Sequence, residues 1–312
     1  MDELELLTKI EERLRVSDVR VAIGVGDDAA VLAPMARGTV LSVDVAVEGV
    51  HFDRRWLSLE DAGYRGYVAA LSDLAAMGAA PVAGLLSMIV PSAASDGDVL
   101  RMIDGAREAA LLYGAPIVGG NLSSGAELAM STTVVGAAPE HPIERRGARA
   151  GDALYVTGTL GAAALGLSLL SRDESTREHA AVFVDRWRRP RARFDRVPAL
   201  LGVASSAIDV SDGLVQDLEH LAKASRVGAI VESALLPLEE GHAELAAALG
   251  LDGDLLALSG GEDYELLFTA AEGAVDASIA TRIGSIVPGQ GVRVLDRSGS
   301  ERVLPRGGYR HR

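Results

Sequence analysis

One residue constrains the fold of this chain more than any other: Asp73 is the only charge between Arg65 and Asp96. Around it lies an apolar run, residues 68–91, long enough to raise the question of a membrane span. Gly78 and Pro81 interrupt that run, and an Asp at the middle of a span costs roughly 3 kcal/mol on insertion scales. The run therefore reads as a buried helix followed by a buried strand in a soluble protein. A carboxylate in such a helix must be paired or bind a metal, and no Lys or Arg is close to it in sequence.

Other acids sit in similar places, at the end of a β-prone run or inside an apolar one. Asp44 lies in Leu41-Ser42-Val43-Asp44-Val45-Ala46-Val47, and Asp209 in Ala207-Ile208-Asp209-Val210 ahead of Ser211-Asp212-Gly213. The segment Gly24-Val25-Gly26-Asp27-Asp28-Ala29 superficially matches a dinucleotide fingerprint. Two carboxylates where a pyrophosphate must meet backbone N–H groups defeat that reading, unless Mg²⁺ lies between them. Bland alternatives stand beside each: an acidic surface turn for Asp27 and Asp28, a solvent-facing strand side for Asp44, and a helix N-cap for Ser211 or Asp212. Ser259-Gly260-Gly261-Glu262-Asp263-Tyr264-Glu265 packs three acids around a glycine turn, either a solvated loop or one that recognises substrate. His51 reads as structural or substrate-facing, and Arg145 and Arg146 as surface residues or phosphate ligands.

Composition narrows the partners. The 312 residues carry 30 basic and 44 acidic side chains, a net charge of −14, which disfavours nucleic acid and anionic membranes. With no cysteine, disulfides, thiolate zinc sites and cysteine nucleophiles are excluded, and a reducing compartment fits. No pair among the six histidines has metal-ligand spacing. The first fifteen residues read as an amphipathic helix, not a signal peptide.

Helical and strand periods alternate along the chain. Strands are expected at 19–23, 39–47, 85–90, 128–135, 153–157, 207–210 and 265–269. Helices are expected from Ser58, with Asp61 as its capping partner, to Met77 and Gly78, at 99–113, after the 158–161 turn, and with Leu214, Leu218 and Leu221 on one face. Residues 119–121 read as a turn, and residues 171–196 as a charged, solvated region. The Pro-, Arg- and Gly-rich stretch 138–152 marks a domain boundary, giving domains 1–137 and 138–312.

Four segments in order resemble the thiamine-monophosphate kinases, within the superfamily of aminoimidazole-ribonucleotide synthetase. They are Gly24-Val25-Gly26-Asp27-Asp28, Leu71-Ser72-Asp73-Leu74-Ala75-Ala76-Met77-Gly78, Ile208 to Leu214, and Ser259 to Leu266. The resemblance implies an α+β fold: an N-terminal α/β sandwich that dimerises, and a C-terminal α/β domain completing the nucleotide and substrate cleft. It implies ATP and thiamine monophosphate as substrates, several Mg²⁺ ions, a cytoplasmic homodimer, and direct phosphoryl transfer with no general base. Carried over residue by residue, Asp28, Ser42, Val43 (through its carbonyl), Asp44, Asp73, Asn121, Asp209 and Asp212 are metal ligands, with Asp73, Asp44 and Asp209 central to catalysis. Gly120, Asn121, Arg145 and Ser211 face ATP; His51, Glu262 and Arg306 face the substrate.

Three departures stand out. Asn121 replaces an Asp, which weakens one expected Mg²⁺ site; Val43 stands where a Thr is common; Arg306 stands where a Trp commonly stacks on thiamine. They leave two alternatives, a kinase for another phosphorylated small molecule and a non-catalytic nucleotide- or metal-binding relative.

Overall fold

A computed structural model describes residues 3–26 and 29–304, and the side chains of Glu3 and Leu4 are not described. The chain forms two compact units: residues 1–74 with 79–140, and residues 75–78 with 141–312.

In the first unit, α1 (Glu3–Leu14) precedes a two-stranded ribbon of β1 (Val21–Ile23) and β2 (Val31–Leu32). Then come β3 (Thr39–Val47), α2 (Leu59–Ala76), β4 (Ala80–Val90), α3 (Asp96–Leu112), β5 (Ile117–Ser124) and β6 (Ala129–Ala137). The sheet order is β3-β6-β4-β5, antiparallel except where β5 runs parallel to β4. The residue-2 period of β3 is nearly strict: Leu41, Val43 and Val45 are exposed, while Ser42, Asp44 and Ala46 alternate with them on the other face.

The expected buried helix is present as α2; the expected strand is present as β4, but only one of its faces is buried, with Leu85 and Ile89 exposed on the other. Ser58 Oγ accepts the Asp61 N–H at 3.0 Å to start α2, and Gly78 (φ 70°) ends it. Tyr67, Leu71 and Leu74 of α2 are fully buried, as are Met102 of α3 and Met130 of β6. No helix among the described residues is long and apolar enough to cross a membrane.

The expected turn at 119–121 is not a turn. Gly119, Gly120 and Asn121 continue β5, because its parallel pairing with β4 brings the chain very near the Leu86 carbonyl. A Cβ on Gly120 would lie 1.9 Å from that oxygen, so glycine here serves close strand approach.

The second unit holds a seven-stranded sheet in the order β13-β12-β9-β11-β7-β10-β8. Its chain order is β7 (Ala153–Val156), α4 (Ala162–Ser171), α5 (Ala180–Arg188), α6 (Val197–Leu200), β8 (Ser206–Asp209), α7 (Leu214–Ser225) and β9 (Gly228–Glu232). A 3₁₀ turn at Ser233–Leu235 leads to α8 (His242–Ala248), α9 (Gly253–Ser259), β10 (Leu266–Ala270), β11 (Thr281–Val287), β12 (Gly291–Leu295) and β13 (Glu301–Arg302). One core layer gathers Leu154, Leu214, Leu218, Leu221 and Leu258; another gathers Ala75, Tyr155, Leu200 and Phe268.

Residues 171–196 differ from the solvated region expected. They contain α5, whose Phe183, Val184 and Trp187 are buried. Charges at Asp185, Arg186 and Arg188 mask that apolar face in a simple reading of composition.

Tyr67 illustrates how tightly the first unit is specified. Its hydroxyl is buried, donates to the Ala115 carbonyl at 2.6 Å, and is pushed above the usual phenol range by burial. Tyr67→Phe should leave that carbonyl unsatisfied and cost about 1–3 kcal/mol. Urea unfolding at fixed pH checks this, and an unchanged midpoint would contradict it.

Candidate active site

In the first unit, β3 and α2 bring two expected ligands into contact. Ser42 Oγ donates a short hydrogen bond to Asp73 Oδ2. Asp73 is therefore half-buried and hydrogen-bonded, not sealed in apolar packing. Asp44 sits on the same strand face as Ser42, and its Oδ1 accepts the Val45 N–H at 2.6 Å. The Val43 side chain points to the opposite, exposed face, so only its backbone is available to a ligand on the Asp44 side.

His51 follows on the loop after β3. Its Nδ1 accepts the Val47 N–H at 3.1 Å. In a neutral imidazole this places the proton on Nε2 and makes that nitrogen a donor. Gly120 and Asn121 on β5 line a cavity of about 820 Å³ together with Val25, Gly26, Glu11 and Met88. That volume is in the range of small-molecule sites. Asp28 and Arg306 lie outside the described residues.

In the second unit, the two glycine-acid segments interlock. The Glu262 N–H donates to the Ser211 carbonyl at 2.8 Å, and the Tyr264 N–H to the Val210 carbonyl at 2.9 Å. A Cβ on Gly261 would lie 2.5 Å from the Ser211 oxygen, and one on Gly213 2.9 Å from the Ser259 carbonyl carbon. Both glycines also have positive φ, at 69° and 122°. Any side chain at either position would force the loops apart.

Neither Ser211 nor Asp212 caps α7. The N-cap is Gly213, and it makes no side-chain cap bond. Buried Asp217, one turn into the helix, instead ties down the loop before it: its Oδ2 accepts the N–H groups of Ser211, Asp212 and Gly213 at 3.0, 3.1 and 3.2 Å. Burial, then the charges of Asp209 and Asp212, push Asp217 up to about 8. Asp209 is itself buried at the end of β8, while Asp212 accepts from Gln216 Nε2 at 3.0 Å.

The three acids of the 259–265 segment have separate duties. Asp263 is buried and its carboxylate accepts the Gly161 and Ala163 N–H groups, at 2.7 and 3.1 Å, at the start of α4. Glu265 is buried too, accepting from Arg186 and Arg193 at 3.2 Å each and from Thr157 Oγ1 at 2.6 Å. Glu262 alone of the three is half-buried; its Oε2 accepts from Trp187 Nε1 at 2.9 Å. Arg145 is an exposed residue whose carbonyl accepts from Ser225 Oγ at 3.0 Å.

Among the described residues, no three His, Asp or Glu side chains form a group suited to hold a metal ion. The expected ligands instead appear as the Ser42–Asp73 pair with Asp44 nearby on its strand, and separately as Asp209 with Asp212. Sequence reading missed Asp217, although a signal existed. Asp217 falls in the stripe of Leu214, Leu218 and Leu221, an acid inside an apolar helical period.

Residues 26–138 match the AIR synthase related protein N-terminal domain, and residues 149–297 its C-terminal domain. A thiamine-monophosphate kinase of Escherichia coli strain K12 is 37% identical over 287 residues, 89% of this chain and 86% of the relative. That of Aquifex aeolicus is 35% identical over 285 residues, 91% of each. The chain belongs to the thiamine-monophosphate kinase family.

Solved structures agree with that membership. AaThiL complexed with AMPPCP and TMP matches with TM-score 0.82 and 34% identity, covering 99% of this chain and 96% of that one. A thiamine-monophosphate kinase from Stenotrophomonas maltophilia matches with TM-score 0.82 and 35% identity, over 94% and 96%. The hydrogenase maturation protein HypE complexed with ATP shares the fold at 20% identity and TM-score 0.79.

Asp263 supplies a pH prediction. Burial, and more weakly the Glu265 charge, raise it from 3.8 to about 7, against the lowering effect of its two N–H bonds. The folded state therefore holds an extra proton between about pH 4 and 7, and stability falls as pH rises through that window. Asp263→Asn should remove the share of Asp263 in this slope, leaving that of Asp217, while costing some stability at every pH through a lost N–H acceptor. Urea midpoints of both proteins at pH 5, 6, 7 and 8 check it; parallel curves would contradict it.

Proposed function

We propose that this chain transfers the γ-phosphoryl group of ATP to the phosphate of thiamine monophosphate, giving thiamine diphosphate and ADP. The observation carrying this reading is the near full-length match to AaThiL, whose structure is complexed with AMPPCP and TMP. The interlocked glycine-acid segments of the second unit support it, since a built loop pair with a half-buried Glu262 is more than a solvated surface.

In the proposed reaction a substrate phosphate oxygen attacks the γ-phosphorus. The bond from that phosphorus to its bridging oxygen breaks, and ADP leaves with the electron pair. The nucleophile is already anionic, so no side chain must remove a proton from it. Positioning and charge compensation are what the protein must supply. Gly120, Asn121, Arg145 and Ser211 face the nucleotide; His51 donates from Nε2 and Glu262 accepts from the thiamine portion. Arg306 belongs to this proposed set by sequence alone.

Mg²⁺ fits the donor chemistry, because every proposed ligand offers oxygen and none offers sulfur. Asp217 is raised by burial and then by the charges of Asp209 and Asp212, and those two charges form a negative field suited to a cation. Ser42, Asp44, Asp73 and Asn121, with the Val43 carbonyl and Asp28, would hold metal in the first unit; Asp209 and Asp212 would do so in the second. When bound, the ions neutralise phosphate charge that would otherwise repel the two substrates. Asn121 brings no charge, so its share is weaker.

A coupled ADP assay over a panel of phosphomonoesters, with and without Mg²⁺, tests the function. ADP release is expected to require both thiamine monophosphate and Mg²⁺. Release with a different monophosphate, or nucleotide binding without turnover, would overturn the reading. Asp73→Asn should lower kcat at least about 100-fold, in line with loss of a charge-stabilising group; activity within about threefold of wild type would remove Asp73 from the site.

The proposed homodimer rests on the outer face of the first unit's sheet. Val43, Thr133 and Leu85 lie directly across from one another on β3, β6 and β4, and Leu41, Val43, Val45, Leu85 and Ile89 are exposed. A contiguous apolar face of this kind marks an interface. Sedimentation should find a dimer, and Leu41→Glu should shift it towards monomer; a monomeric wild type would contradict this.

A further inference from the structure

The Glu262 backbone is held in an unfavourable state. Its φ is 61°, in the left-handed region that residues with a Cβ seldom occupy, and Tyr264 two residues on has φ 51°. Such strain persists only where surroundings over-determine it. At Glu262 two contacts do so: the backbone N–H to Ser211, and the side-chain Oε2 to the Trp187 indole.

Trp187 comes from α5, the segment whose buried face the bare sequence hides. It is 2% exposed, and an indole N–H can only donate. The bond therefore has a single sense, with the carboxylate as acceptor. Neighbouring side chains reinforce the arrangement. Arg186, next to Trp187 on the helix, donates to Glu265 and to Thr159 Oγ1, and Arg193 donates to Glu265. One short helix and the residues after it thus hold two acids of the 259–265 loop from behind. The third, Asp263, is held by the start of α4.

We propose that Trp187 is a positioning residue for substrate recognition, its buried indole N–H fixing the half-buried Glu262 carboxylate in the orientation that receives thiamine monophosphate. This rests on the reading of Glu262 as substrate-facing. Trp187 does not touch substrate; it sets where one carboxylate oxygen lies, and so how well the other is presented. Its effect belongs to binding of thiamine monophosphate and not to the nucleotide or to the transferred group.

The test is a kinetic cycle of Trp187→Phe, Glu262→Ala and the double variant, with melting temperatures as a check on folding. Trp187→Phe should raise the KM for thiamine monophosphate about tenfold, as expected for loss of a hydrogen bond to a charged acceptor. The KM for ATP should stay within about twofold, and the double variant should be no worse than Glu262→Ala. An unchanged KM in Trp187→Phe beside a raised one in Glu262→Ala would overturn the positioning role while leaving Glu262 in the site. An unchanged KM in Glu262→Ala would instead overturn the reading of Glu262, and this inference with it.

If Trp187→Phe does not fold, the native indole reports directly. The chain has two tryptophans, so Trp56→Phe leaves Trp187 as the single tryptophan, read alone by excitation beyond the tyrosine band. Thiamine monophosphate should then change its emission saturably, and Glu262→Ala in that background should abolish the change. Emission indifferent to the substrate would overturn the proposal.

Discussion

Buried aspartates accepting backbone N–H groups hold the second unit's loops in place. Asp217 gathers three successive amides at 211–213, and Asp263 gathers two at the start of α4. Asp263 stands in for the cap that a Ser or Asn would provide at α4, and Asp217 pins the loop ahead of α7. Burial raises Asp217 to about 8 and Asp263 to about 7, so these anchors fix the loops while carrying a reduced charge near neutral pH. The interlock of Gly213 with Gly261 depends on that anchoring, since neither loop has a side chain of its own at the contact.

The same choice creates an electrostatic problem. Burial, and then the nearby charges of Asp209 and Asp212, raise Asp217 to about 8. Like charges at close range leave one group protonated unless a cation arrives. In a chain of net charge −14, divalent ions suit this field and also the phosphates that the family's substrates carry. Glu265 shows the other solution, two arginines and a threonine closed around a single carboxylate. The contrast separates acids that build the loop from acids left for chemistry.

Much of this was legible in the sequence where period and punctuation coincide. The β-prone run 39–47 is β3, and Ser58 and Gly78 bound α2. The run 119–121 misled because two glycines before an Asn read as a turn, whereas β5 needs them for close pairing with β4. Residues 171–196 misled because arginines and acids conceal the stripe of Phe183, Val184 and Trp187. Asp217 was overlooked although it interrupts the leucine face of α7. Those losses share one cause: long-range partners decide whether a glycine pair turns or joins a strand and whether a charge faces water or a neighbouring loop, and local pattern cannot name the partner.

The proposed role of Asp209 and Asp212, at the end of β8 and just before α7, is to hold a divalent cation. Melting temperature, followed as MgCl₂ is added without nucleotide and compared with NaCl at equal ionic strength, tests it most directly. Ligand linkage requires the magnesium series to rise and level off above the sodium series, and Asp209→Asn to flatten that rise. Coincident magnesium and sodium curves for the unaltered protein would contradict the account.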